Sequence, residues 1–203
     1  MIRQLPIIPT VLVSAAAATM VALGIWQLGR ADEKAEMIAR YSAALEQGEE
    51  VPFPANPDGV EDGAYDADTL FRRSSFNCRE VTGVTSISGK SARGQSGYAH
   101  IATCRTDFGP TEVKLGYSRN PNTPGWDGGA VSGVIAPGGR YGTRLQLHEP
   151  VAGLEPLAQP DPKDLPNNHM AYAGQWFFFA LTALVIYWFA VKGRIAGRAV
   201  RAR

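Results

Sequence analysis

The chain has 203 residues, with 20 Lys and Arg against 19 Asp and Glu, so its length allows one ordinary domain plus anchors and its charge is near balance. That average hides a segregation: all 19 acids lie between Asp32 and Asp164, whereas Arg3 and Arg30 precede them and Lys192, Arg194, Arg198, Arg201 and Arg203 follow. The acidic middle has no basic patch interleaved with aromatics, which argues against nucleic acid as a partner.

Two uncharged apolar runs, Ile7 to Leu28 and Met170 to Val191, are each 22 residues long. As helix each covers about 33 Å at about 1.5 Å per residue, enough to cross the hydrocarbon core of a bilayer. The first run is longer than the roughly 7–15 residues of a cleaved signal core, so it reads as an uncleaved anchor. The second is dense in Tyr, Trp and Phe, and its Tyr and Trp residues near both ends suit the membrane interfaces. The positive-inside rule puts the basic C-terminal tail in the cytoplasm, and two spans bring the N-terminus to the same side. The expected layout is therefore a transmembrane helix at 7–28, a periplasmic β-rich domain with a helical extension at 29–169, a second transmembrane helix at 170–191 and a basic cytoplasmic tail at 192–203. In a mitochondrion the middle would face the intermembrane space; the lack of a transit-like leader favours a bacterial inner membrane.

Beyond the first span, Ala31 to Gln47 is rich in Ala, Glu, Lys and Leu, and places Met37, Ile38, Tyr41 and Leu45 on one helical face. Gly48 is a natural stop. Val51 to Gly63, with three prolines and two glycines, predicts a loop. Short β segments follow at Phe76–Val84, Tyr98–Phe108, Glu112–Tyr117, Val131–Ile135 and Thr143–Leu147. Turn clusters at Ser88–Gly97, Asn120–Gly129 and Pro137–Gly142 separate them. This spacing predicts a small antiparallel sheet or partial barrel, and Pro150 to Asn168 reads as an extended connector back to the membrane. The fold class is thus a membrane protein with two transmembrane α-helices flanking a mainly β (α+β) extramembrane domain.

Cys78 and Cys104 both fall in the outer domain, where an oxidising compartment permits a disulfide between neighbouring strands. Free buried thiols, or metal or redox chemistry, are the other readings, the last without a supporting cluster. His100 and Cys104 share a strand face, but two ligands do not make a metal site. There is no HExxH or GxSxG, and Gly89-Lys90-Ser91 lacks the glycine that a phosphate loop needs at position 84, so no familiar enzyme class is indicated. The chemistry-bearing residues gather instead where the spans meet the outer face. Trp26, Gln27 and Arg30 close the first span, and Asn167, Asn168, His169, Tyr172, Gln175 and Trp176 open the second. His169, Tyr172 and Trp176 stand at i, i+3 and i+7 and so share a helix face. Gln175 lies at membrane depth, where a polar group usually meets a partner or lines a site. Belt aromatics and an amide bond between helices are the plainer account of the same residues.

Gly24-Ile25-Trp26-Gln27-Leu28-Gly29-Arg30, followed by Glu33-Lys34, resembles the exit of the first span in the Surfeit locus protein 1 family. Asn167-Asn168-His169-Met170-Ala171-Tyr172-Ala173-Gly174-Gln175-Trp176-Phe177 resembles that family's entry to the second span. The middle departs from the family's Asn-Arg-Gly-Trp-like segment: Val113-Lys114-Leu115-Gly116-Tyr117-Ser118 keeps the glycine and an aromatic and lacks the arginine. The resemblance implies a non-enzymatic assembly factor, or chaperone, for haem–copper cytochrome c oxidase in respiratory chain biogenesis, assisting delivery of haem a to the catalytic subunit. It implies His169 as the axial ligand to haem iron. Tyr172 and Trp176 would then flank the macrocycle, and Arg30 or Lys34 would pair with its propionates. Membrane lipid, the oxidase catalytic subunit and a haem a biosynthesis enzyme are the expected partners. The alternative is a membrane-anchored scaffold or binding protein without cofactor.

Overall fold

The computed structural model describes residues 6–56, 58–59 and 67–201, with the side chains of 194–201 outside that description. Arg3, Arg203 and part of the loop expected at Val51–Gly63 lie outside the described residues. The chain forms two compact units, residues 1–37 with 166–203, and residues 38–165.

The first unit holds two helices long and apolar enough to cross a membrane. Helix α1 (Ile7–Gln47) runs without a break through the first apolar stretch and its Ala/Glu-rich extension. It ends at Gly48, which takes a positive φ of 63° that other residues adopt only at a cost. Helix α2 (His169–Arg201) begins at His169 and continues past Val191. The stretch expected as a separate tail is therefore helical as far as Arg201.

The second unit is built on a six-stranded sheet. Its strands are β1 (Arg73–Cys78), β2 (Glu80–Lys90), β3 (Ser96–Thr106), β4 (Gly109–Ser118), β5 (Gly129–Pro137) and β6 (Thr143–Leu147), in the order β1-β5-β6-β4-β3-β2. The sheet is mixed rather than antiparallel: β4 and β6 pair in parallel, Glu112 opposite Arg144 and Lys114 opposite Gln146. The strand expected at Phe76–Val84 is two, because β1 and β2 form one extended segment broken only at Arg79. Its first half pairs with β5, Cys78 opposite Gly129, and its second with β3, Glu80 opposite Arg105. At the break the Arg79 amide donates to the Arg105 carbonyl at 3.0 Å, so the ladder picks up β3 where it leaves β5. The edges of the sheet are thus joined at a corner, which gives the partial barrel.

Cys78 and Cys104 form a disulfide at that corner, with their Cα atoms 5.4 Å apart. The bridge does not link neighbouring strands as expected. It ties β1, at one edge, to β3, one strand in from the other. Both cysteines are buried, which leaves the redox and metal readings without an accessible thiol. Gly128 is needed beside them: it has φ 99°, and a Cβ there would stand 2.5 Å from the Cys78 carbonyl oxygen.

The core between the strands is apolar, with Ile101, Val113, Leu115, Tyr117, Ile135 and Leu145 all at most 3% exposed. Phe53, Phe76 and Phe108 pack as an aromatic triad with ring centres 5.1–5.5 Å apart. Tyr41, from the predicted face of the α1 extension, lies 5.1 Å from Phe71. The connector after Pro150 is not free. The Glu155 amide donates to the Tyr117 carbonyl at 2.9 Å, and Gln146 Nε2 donates to the Ala158 carbonyl at 2.7 Å. Lys114 Nζ in turn donates to Gln146 Oε1 at 3.3 Å, and its pKa is lowered by burial and by the nearby Arg144 guanidinium.

His100 is fully buried on β3 between two serines. Ser118 Oγ donates to the Asn120 carbonyl at 2.6 Å, and so accepts from the ring at Nε2, 2.8 Å away. Ser86 Oγ lies 2.9 Å from Nδ1 and 2.8 Å from the Pro121 carbonyl, and its one proton serves either. Burial pushes the His100 pKa below its ordinary value, against a smaller raising effect of the Asn120 backbone. The folded domain therefore binds fewer protons than the unfolded chain below about pH 6.5. Its stability is full above that pH and falls as the pH drops toward the folded pKa. Urea midpoints between pH 7.5 and 5 should decline in the wild type and decline less in His100→Phe; parallel curves would mean that another group carries the acid sensitivity.

Candidate functional site

In the first unit α1 and α2 pack antiparallel, and the sequence shows why they approach closely. Ala17, Gly24 and Ala31 recur at seven-residue intervals and are buried, as are Ala173 and Ala180 on α2. Small residues at this spacing form a seam along which helices in lipid gain van der Waals contact. The Phe177 ring lies over Gly24: a Cβ there would stand 2.6 Å from its edge. Of the small residues expected to allow close approach, Gly24 and Ala173 lie in the seam, whereas Ala22 and Gly174 are exposed. The other faces are apolar and open, with Val11, Leu12, Phe178, Leu181, Ile186, Trp188 and Phe189 all at least 60% exposed, as suits lipid-facing surfaces. At one end of the pair Thr10 Oγ1 and the Tyr187 hydroxyl share a hydrogen bond.

At the opposite end, His169 is the first residue of α2, and its Nδ1 lies 2.8 Å from Gln27 Oε1 on α1. With the amide oxygen, which only accepts, turned toward the ring, the proton sits on Nδ1. That leaves Nε2 as a bare lone pair, with no partner among the described residues and not buried. Asn167 Nδ2 donates to the Ala31 carbonyl at 3.3 Å, and fastens the entry of α2 to the exit of the first span. Its Oδ1 is buried without a hydrogen-bond partner.

The other expected site residues are brought in unevenly. Trp176 is half-buried about two turns below His169, with its ring edge-on to Phe179 at 6.3 Å. Tyr172 is 52% exposed, so the shared face at i, i+3 and i+7 turns partly outward. Arg30 is exposed and ion-paired with Glu33 on its own helix. Gln175 is exposed, and the interhelical amide contact is made by Gln27 instead. Gln27 is legible in the sequence as a polar residue in an apolar run; its pairing with His169 is not, because it depends on the register of two helices far apart in the chain. Among the described residues, no three His, Cys, Asp or Glu side chains converge on a metal ion.

No curated protein matches the chain. The profile of the SURF1 family, whose members are assembly factors for cytochrome c oxidase rather than catalysts, matches residues 14–181. The match takes in both span motifs and the whole sheet domain between them, including the segment around Gly116 that departs from the expected pattern. With most of its length matched, the chain belongs to the SURF1 family.

Proposed function

We propose that this protein holds haem a transiently at the outer membrane interface and assists its delivery to the catalytic subunit of a haem–copper cytochrome c oxidase, with His169 as the iron ligand. The observation that carries this reading is the contact between Gln27 Oε1 and His169 Nδ1 at 2.8 Å, which supplies the acceptor that a ligating imidazole needs on its second nitrogen and leaves Nε2 available. The haem brings the redox chemistry that the oxidase uses; the residues here bind and orient it. Trp176 and Tyr172 offer flat apolar surface beside the ligand, and Arg30, which is accessible, pairs with a propionate by exchanging its Glu33 partner. One neutral protein ligand suits release better than a closed two-ligand cage. The five basic residues from Lys192 to Arg203 favour cytoplasmic termini and a periplasmic sheet domain in a bacterial inner membrane. A haem a biosynthesis enzyme is the chemical source of such a cargo.

The test is haem a content and spectrum of the purified protein, wild type against His169→Ala, in a strain that makes haem a, together with oxidase activity in its membranes. The substitution should remove bound haem and lower oxidase activity. Unchanged stoichiometry, spectrum and activity would reduce His169 to an interfacial residue, and a wild type that carries no haem and whose deletion leaves oxidase activity intact would put a cofactor-free scaffold in place of this reading.

A further inference from the structure

We infer that Gln27 is a positioning residue: it fixes His169 in the tautomer protonated on Nδ1, so that Nε2 alone is presented to iron, and its neutral amide keeps that ligand weak enough to release. This rests on the haem reading above for its purpose, and on geometry for its substance. His169 and Gln27 belong to different helices, 142 residues apart in sequence, and meet at 2.8 Å. Gln27 is half-buried and offers one carbonyl oxygen to a ring whose other nitrogen has no partner among the described residues.

The strength of the acceptor matters as much as its place. A carboxylate behind a histidine pulls on the Nδ1 proton and makes the imidazole a stronger donor to metal, whereas an amide carbonyl orients the ring with less charge transfer. A permanent haem protein gains from the first and a carrier from the second. The contact also ties the ligand to the helix pair, because the acceptor reaches the ring only while the seam of Ala17, Gly24 and Ala31 stays closed against α2.

The opposite orientation of the amide, with its NH₂ group donating to a bare Nδ1, would put the proton on Nε2 and forbid ligation. The first measurement therefore needs no haem: nitrogen NMR of histidine-labelled protein in lipid nanodiscs, comparing wild type, Gln27→Leu and Gln27→Glu. Wild type and Gln27→Glu should show a protonated Nδ1 and a bare Nε2, and Gln27→Leu should show both tautomers. The second is haem a release to apomyoglobin, together with the reduction potential of the bound haem. Gln27→Leu should lose about 10–100-fold in affinity, the usual effect of deleting such a partner. Gln27→Glu should release more slowly than wild type and have a lower reduction potential, a shift that a purely structural role would not produce. A protonated Nε2 in the wild type, or a tautomer indifferent to Gln27→Leu, overturns the inference. If the tautomers behave as stated but no variant binds haem, the positioning role stands and the haem reading falls.

Discussion

Replacing both Cys78 and Cys104 by alanine should destabilise the sheet domain by about 3–4 kcal/mol. The closed loop spans 26 residues in sequence, and chain entropy alone gives about 3.5 kcal/mol for a loop of that size. The position adds to the effect. The bridge sits where β1 hands over to β2 and the barrel closes, with the Arg79–Arg105 backbone bond beside it. Both side chains are buried, so the deleted sulfurs also leave a void. Alanine is preferable to serine here, because serine would bring two hydroxyls into a dry corner. Urea denaturation of the full chain in detergent, with and without reductant, measures the result. The double variant should unfold at clearly lower urea than the oxidised wild type and somewhat below the reduced wild type, which keeps both buried sulfurs. Equal midpoints for the oxidised wild type and the variant would mean that the ladder closes the corner unaided.

The same corner shows where the sequence is readable and where it is not. Thr143–Leu147 is found at its predicted bounds because it alternates cleanly between turn clusters, and Val131–Ile135 sits inside β5 because β-branched residues stand between the same turn clusters. The break at Arg79 carries no local signal: Asn77, Cys78 and Arg79 all fit an extended strand, and the strand divides only because its partner changes. The parallel pairing of β4 with β6 is likewise a matter of topology, since periodicity reveals strands but not their neighbours. Gly89 and Lys90, placed in a turn by composition, belong to β2 because the hairpin closes tightly, with the Ser91 amide donating to the Gln95 carbonyl at 2.9 Å.

The site divides in the same way. His169, Trp176 and Arg30 stand out by residue type and helical spacing, and the seven-residue recurrence of Ala17, Gly24 and Ala31 is present in the sequence as a plain pattern. Which amide faces the histidine is settled by the register of α1 against α2. Gln175 is the more conspicuous choice at membrane depth, and it points away from the seam. Tyr172, three residues from His169, turns outward because the seam follows positions 169, 173, 176 and 180, and residue 172 lies at its margin.

That register makes Gly24 the residue on which the site depends without belonging to it. Gly24→Leu should separate the two helices at the end where His169 meets Gln27 and release that contact. A Cβ at position 24 stands 2.6, 2.8 and 2.9 Å from three atoms of the Phe177 ring, and a ring edge has no flexible end to swing aside. Leucine adds three more carbons to that collision. Overpacking of this kind costs about 1–3 kcal/mol even where the surroundings relax, and in lipid little hydrophobic drive opposes the separation of two apolar helices. Gly174→Leu is the matched control: same chemistry, same membrane, and nothing within 4 Å of its Cβ. Spin labels on exposed Val21 and Leu181 report the separation without interference from the native cysteines, which are paired with each other. The label distance should lengthen and broaden in Gly24→Leu and stay put in Gly174→Leu. In the same Gly24→Leu protein the His169 ring should lose its single tautomer, the result expected also of Gln27→Leu. Should the helices stay together with leucine at position 24, the seam is not what holds Gln27 to His169, and the tether through Asn167 and the Ala31 carbonyl becomes the element that sets the geometry.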